Sequence, residues 1–234
     1  MYYLVYTILL SFDVLLFTGI DFQQDVNFAV YSFGVPIGVG TIQNMYLKTG
    51  VFDVEADVAL GYSNDQEYYQ LMQVVSNFTM GLNSPIVLGP FSTATPIVWL
   101  APGLSLISLP TFIPGLEEKL IARVDMYPTS PTPVVIPFTM DINNPIDTEI
   151  SLSYIKADIF TSGVHIAYVD EAVDIVIPAR STITSPLINA TMIYFDGSHS
   201  QFYIDITSLL TGDIDEFPIM MNYSQYQILT EIHG

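Results

Sequence analysis

The sequence predicts a mainly β protein: two tandem immunoglobulin- or fibronectin-like β-sandwiches, each with one short helix. Three observations predict it. Short runs alternate apolar and polar residues, as in Ile150-Ser-Leu-Ser-Tyr-Ile155, the period of a half-buried strand. Frequent Gly and Pro break those runs at turn-like intervals. Two stretches also share one pattern. Val54–Tyr62 is followed by Gln66, Tyr68-Tyr69, Gly81 and Pro85-Ile86; Leu187–Tyr194 is followed by Gln201, Tyr203, Gly212 and Pro218-Ile219. Their offset stays near 132 residues. A spacing held through strand, helix and strand marks one supersecondary unit used twice.

A chain of 234 residues suits two domains of ordinary size. Half of it is hydrophobic and 12% is charged, so it can bury substantial cores and is not a disordered sequence. Five bases stand against 24 acids, a net charge of −19. Such a chain repels nucleic acid, whose binding rests on Lys and Arg at phosphates. It also repels an anionic membrane surface. With no cysteine there is no disulfide scaffold and no thiolate metal site.

The first repeat is expected over 1–94. Residues 1–20 are almost wholly apolar and read as two buried strands or as a remnant anchor or signal. The length suits a bilayer span, but Asp13 is costly in lipid and no basic flank orients a span. Strands follow at 28–33, 35–42 and 52–60. Residues 66–78 lack Gly and Pro, and Tyr68, Met72 and Val75 recur at helical spacing. Asn64 or Asp65 caps that helix and Gly81 stops it. Residues 95–133 form an apolar, Pro/Gly-rich connector packed as irregular strand, with one or two helical turns at 116–124 and a plainer linker at 127–133. The second repeat, 134–234, opens with strands near 134–145, 150–155, 164–169, 173–177 and 187–194. Ser200–Leu210 then stands as the second helix with Gly212 as its stop, although β-branched Ile204, Ile206 and Thr207 disfavour helix.

No catalytic constellation emerges. His165, His199 and His233 are scattered without ligand spacing. No nucleophile elbow appears, and the Gly34–Gly40 run lacks a phosphate-binding Lys. The chain therefore reads as non-enzymatic, with no cofactor and no metal. Asp53, Glu55 and Asp57 share one face of a strand. That row is a solvated face, the alternative being an oxygen site for calcium. Asn77, Asn189 and Asn222 each open an N-glycosylation sequon. Asn77 and Asn222 are expected near element ends and Asn189 within a strand. Together they point to a secretory or vacuolar lumen.

The second unit resembles the type-2 late-embryogenesis-abundant, or water-hypersensitivity, domain. The residues that carry this are Val134–Pro145 with its closing Asn144-Pro145, the strand from Ile150, Gly163-Val-His-Ile-Ala167, and Val173–Ala179 with its Ile-Pro-Ala step. They cover roughly 134–222, and the first unit matches less well. Two such units, joined by an apolar Pro-rich segment, are similar to the luminal repeats of fungal vacuolar membrane proteins. The resemblance implies immunoglobulin-like sandwiches on the lumenal side of a membrane and lipid handling in an apolar groove. Such a groove is expected under the paired helices, at Tyr68, Tyr69, Met72, Phe202 and Tyr203. The partner would be a lipid or a membrane protein. Two other readings stand beside it: a luminal or extracellular protein-interaction spacer without lipid, and a soluble stress-protective protein.

Overall fold

The computed structural model describes residues 4–14, 20–21, 25–47, 50–93, 105–106, 108–117, 119–129, 134–194, 201–214 and 217–233. The chain is mainly β, as the sequence predicts, and divides into two compact units. One holds Met1–Val74 with Ser84–Ile113, the other Val75–Asn83 with Pro114–Gly234.

The first unit contains β1 (Leu4–Val14), β2 (Ile20–Asp21), β3 (Val26–Ser32), β4 (Val35–Ile42), β5 (Tyr46–Leu47), β6 (Gly50–Leu60), the first part of α1 (Asp65–Thr79), β7 (Ser84–Thr93) and β8 (Leu109–Ile113). Six strands form an antiparallel sheet in the order β1-β6-β4-β3-β7-β8, and β2 pairs with β5. The apolar N-terminal run supplies β1, which pairs with β6 from Leu4↔Leu60 to Val14↔Gly50. Alternation decides the faces. Val26, Phe28 and Val30 on β3 and Ala56, Val58 and Leu60 on β6 are buried, while Asp53, Glu55 and Asp57 face solvent. Burying each larger side chain contributes about 1.5–3 kcal/mol.

Helix α1 starts and stops as its sequence dictates. The Asn64 side chain accepts the Glu67 N–H (3.1 Å), and the Glu67 carboxylate reaches back to the Ser63 N–H (2.6 Å), a variant of the capping box. Gly81, at φ +73°, donates to Phe78, and Leu82 donates to Asn77, the Schellman closure of a helix. Leu71, Met72 and Val74 are buried, and the Gln70 amide donates to Ser32 Oγ at 3.0 Å.

The second unit contains β9 (Ile121–Met126), β10 (Val135–Asn144), β11 (Ile150–Thr161), β12 (Val164–Ile177), β13 (Ser181–Thr184), β14 (Ile188–Met192), β15 (Gln201–Ile214) and β16 (Phe217–Ile232). The sheet closes on itself. Its ring runs β9-β10-β14-β12-β11-β15-β16 and back to β9. β13 continues the β14 position along the far end of β10. All pairings are antiparallel except β16–β9, the parallel seam that closes the barrel. There Gln225 stands in for backbone: its Oε1 accepts from Ile121 N–H (3.2 Å) and its Nε2 donates to Ile121 C=O (2.7 Å). The first unit is thus an open six-stranded sheet with the separate β2–β5 pair, and the second is a closed barrel.

Several local expectations are corrected. Residues 201–214 form strand β15, not a second helix. Ile204, Ile206, Ser208, Leu210 and Ile214 are buried at every second position, and β-branched residues suit that pleat. Gly212 is no helix stop; a Cβ there would lie 1.8 Å from Ser151 O on β11. The matched stretches therefore differ: the helix of the first is answered in the second by strand β15, and the described residues of the second hold no helix. Residues 121–124, expected within the helical turns over 116–124, belong to wall strand β9 (Ile121–Met126). The connector divides, with Leu109–Ile113 pairing in the first sheet and Ile121–Met126 in the second; residues 94–104 lie outside the described residues.

Candidate functional site

The groove residues do not lie on paired helices, because the expected second helix is a strand. Tyr68, Tyr69 and Met72 lie on α1 in the first unit. Met72 is buried, Tyr69 is exposed, and Tyr68 packs edge-on against Tyr62 (4.9 Å) and Tyr69 (5.6 Å). Burial, then the neighbouring tyrosines, pushes the Tyr68 hydroxyl pKa up. Phe202 and Tyr203 open β15 in the second unit, where Phe202 is half-buried on the lumen side and Tyr203 is exposed on the outer side.

The barrel lumen is no groove either. Its cavity holds about 30 Å³, lined by residues such as Phe138, Ile155, Ile206 and Leu210. That is room for about one water and a small fraction of the roughly 300 Å³ or more of a small-molecule pocket. The Ser208 hydroxyl faces this space, buried and without a hydrogen-bond partner among the described residues.

An apolar surface lies at one end of the barrel. Val134 (73% exposed), Ile193 (56%) and Tyr194 (57%) stand out, joined by Val135 and Tyr168. Backbone pairing makes them neighbours. Met192 N–H bonds to Val134 C=O, Ile193 and Tyr194 N–H both bond to Ile166 C=O, and Val135 and Tyr168 each pair with Thr191. None of the five is charged. Asp158, across from Tyr168, and Glu171, which accepts the Asn189 N–H, border them. Contiguous exposed apolar residues rimmed by polar ones mark interaction surfaces. The grooves sought from the sequence missed this patch. Its signal was the apolar doublets Val134-Val135 and Ile193-Tyr194, which override the strand alternation.

A polar network sits on the outer face of the seam. Arg123 Nη2 lies 2.7 Å from both Asp125 Oδ1 and Glu231 Oε2, His233 Nε2 lies 2.8 Å from Asp125 Oδ1, and Tyr127 stacks on His233. Asp125, Glu231 and His233 place ligand atoms within 4.8 Å of one another, and the Arg123 guanidinium already pairs with both carboxylates. Burial pushes the Asp125 carboxyl up; the bonds from His233 and Arg123 outweigh it and hold the pKa below the ordinary value. Of the other histidines, His165 stacks on Phe160 (4.9 Å), and His199 lies outside the described residues. The Asp53, Glu55 and Asp57 row is solvent-facing, and the Gln43 amide donates to Asp57.

Asn144 is fully buried at the end of β10. Its Nδ2 donates to the carbonyls of Thr148 (2.8 Å), Ile177 (3.0 Å) and Pro178 (3.0 Å), and its Oδ1 accepts from Ile146 N–H (3.2 Å). Of the sequons, Asn77 is half-buried in the last turn of α1 and Asn189 is exposed on β14. Asn222 is exposed too, but it lies within β16 rather than near its end, because that strand runs on to Ile232.

No family model matches the chain, and no curated protein matches it. Among solved structures it is similar to a GH2 β-galacturonidase from Eisenbergiella tayi bound to glycerol, at 10% identity, 94% of this chain, 35% of that one and a TM-score of 0.25. It is also similar to the collagen adhesin CNA from S. aureus, at 8% identity, 97% and 89% coverage and a TM-score of 0.19. A third is the YadV chaperone, at 10% identity, 94% and 99% coverage and a TM-score of 0.22. The chain spans about a third of the galacturonidase's length. TM-scores this low carry no functional argument.

Proposed function

We propose that the chain is a non-enzymatic, lumen-facing β protein of the endomembrane system that meets lipid through its surface rather than storing it inside. The observation that carries this reading is the uncharged patch of Val134, Val135, Tyr168, Ile193 and Tyr194 at the barrel end. Tyrosine with aliphatic neighbours suits a bilayer interface, where the ring is half apolar and half wet. The net charge of −19 selects a neutral bilayer over an anionic one. The three sequons support a luminal setting.

Flotation with phosphatidylcholine vesicles tests the reading. The chain should float, and Ile193→Asp with Tyr194→Asp should abolish flotation while leaving the fold intact by circular dichroism. Replacing part of the lipid with phosphatidylserine should weaken binding. A chain that never floats leaves the protein-interaction reading in its place, since tyrosine-rich apolar patches also anchor protein partners.

A further inference from the structure

We propose that the sequon at Asn189 carries an N-glycan that gates the apolar end patch, so that occupancy of one asparagine decides whether the patch meets a bilayer. This rests on the reading of that patch as a bilayer contact on the lumenal side. Asn189-Ala190-Thr191 has the acceptor sequence, and all three residues lie on β14. Ile188 and Ala190 are buried, so the pleat turns Asn189 and Thr191 to the outer face, where Asn189 is exposed. Its backbone N–H is held by the Glu171 carboxylate at 2.9 Å.

Thr191, which completes the sequon, sits at the middle of the patch. Val135 pairs with it from β10 and Tyr168 pairs with it from β12. Asn189 pairs with Pro137. Val135 is therefore its diagonal neighbour on the same face, about 7–8 Å away. The acceptor is modified on the extended chain before folding, so a strand position is no barrier; the fold need only leave the sugars room outside the wall. A glycan is bulky and hydrated, and one rooted beside Val135 keeps that flank of the patch out of hydrocarbon. Holding even one large apolar side chain back costs about tenfold or more in binding. The other two sequons lie elsewhere. Asn222 is on β16, and β9 and β10 separate β16 from β14 in the ring. Asn77 follows Ser76, whose Oγ accepts the Asn222 N–H at 3.0 Å, so it shares the Asn222 side of the barrel. Glycans at those two positions leave the patch open.

The test uses the chain made in a eukaryotic secretory host, with occupancy read by glycopeptide mass spectrometry. Asn189 should be occupied. With phosphatidylcholine vesicles Asn189→Gln should float, and the unmodified sequence with its glycans should float about tenfold less or lower. Trimming the glycans to their first sugar with an endoglycosidase should restore flotation with no change of sequence. Asn222→Gln should behave as the unmodified sequence does. An unoccupied Asn189 overturns the proposal, and so does equal flotation of the occupied chain and Asn189→Gln. An Asn189→Gln chain that does not float refutes the bilayer reading itself, and the gate with it.

Discussion

At Asn144 one buried side-chain amide meets four backbone groups, of which the Pro178 carbonyl also accepts from Ser181 Oγ. Each buried polar group left unpaired costs about 1–3 kcal/mol, so Asn144→Ala should destabilise the barrel by about 3–5 kcal/mol, the range of a broken buried network. Chemical denaturation checks this, and a loss under 1 kcal/mol would contradict it. Gln225→Leu should cost about 1–3 kcal/mol in the same assay, because it removes the two side-chain bonds to the Ile121 N–H and C=O. The seam network sets an acid response. A carboxyl whose pKa is lower folded than unfolded, like that of Asp125, stabilises above the unfolded value near 3.9. That contribution is lost as pH falls through the folded value. Arg123→Gln raises the folded value and should move the acid-unfolding midpoint to higher pH. At neutral pH the change should stay within about 1 kcal/mol, because the guanidinium is partly exposed. The Asn144-Pro145 pair was legible as a landmark in the sequence. Its bonds were not, because the carbonyls of Ile177 and Pro178 are remote in the chain.

Elements were legible wherever one period dominated. The period-two runs of β4, β6 and β10 and the capped, Gly- and Pro-free α1 fall within a few residues of their sequence bounds. β15 was not, since Gln201, Tyr203 and Gly212 mimic the spacing of α1 and its stop while the β-branched residues between them follow the pleat. Two glycines separate the cases. At Gly81 the need is conformational, φ being +73°, and Gly81→Ala should cost on the order of 1 kcal/mol or more. At Gly212 the need is steric, with Ser151 O where a Cβ would go. Gly212→Ala should therefore cost about 3 kcal/mol or prevent folding, as overpacked sites do. Thermal unfolding of the two variants distinguishes them, and equal losses would contradict this assignment. The closure of β16 on β9 was illegible, because a parallel pair about 106 residues apart leaves no local pattern.

For the whole molecule, charge and shape act together. A body of charge −19 should be repelled by anionic surfaces, and its uncharged end patch is the proposed contact with a bilayer. With a lumen of about 30 Å³, the purified barrel should carry no stoichiometric lipid in organic extracts. Stoichiometric lipid would mean that the walls part. The most direct test of surface association is hydrogen–deuterium exchange with and without phosphatidylcholine vesicles. The account predicts protection confined to residues 134–135, 166–168 and 192–194. Protection around Tyr68–Met72 instead, or none anywhere, would contradict it.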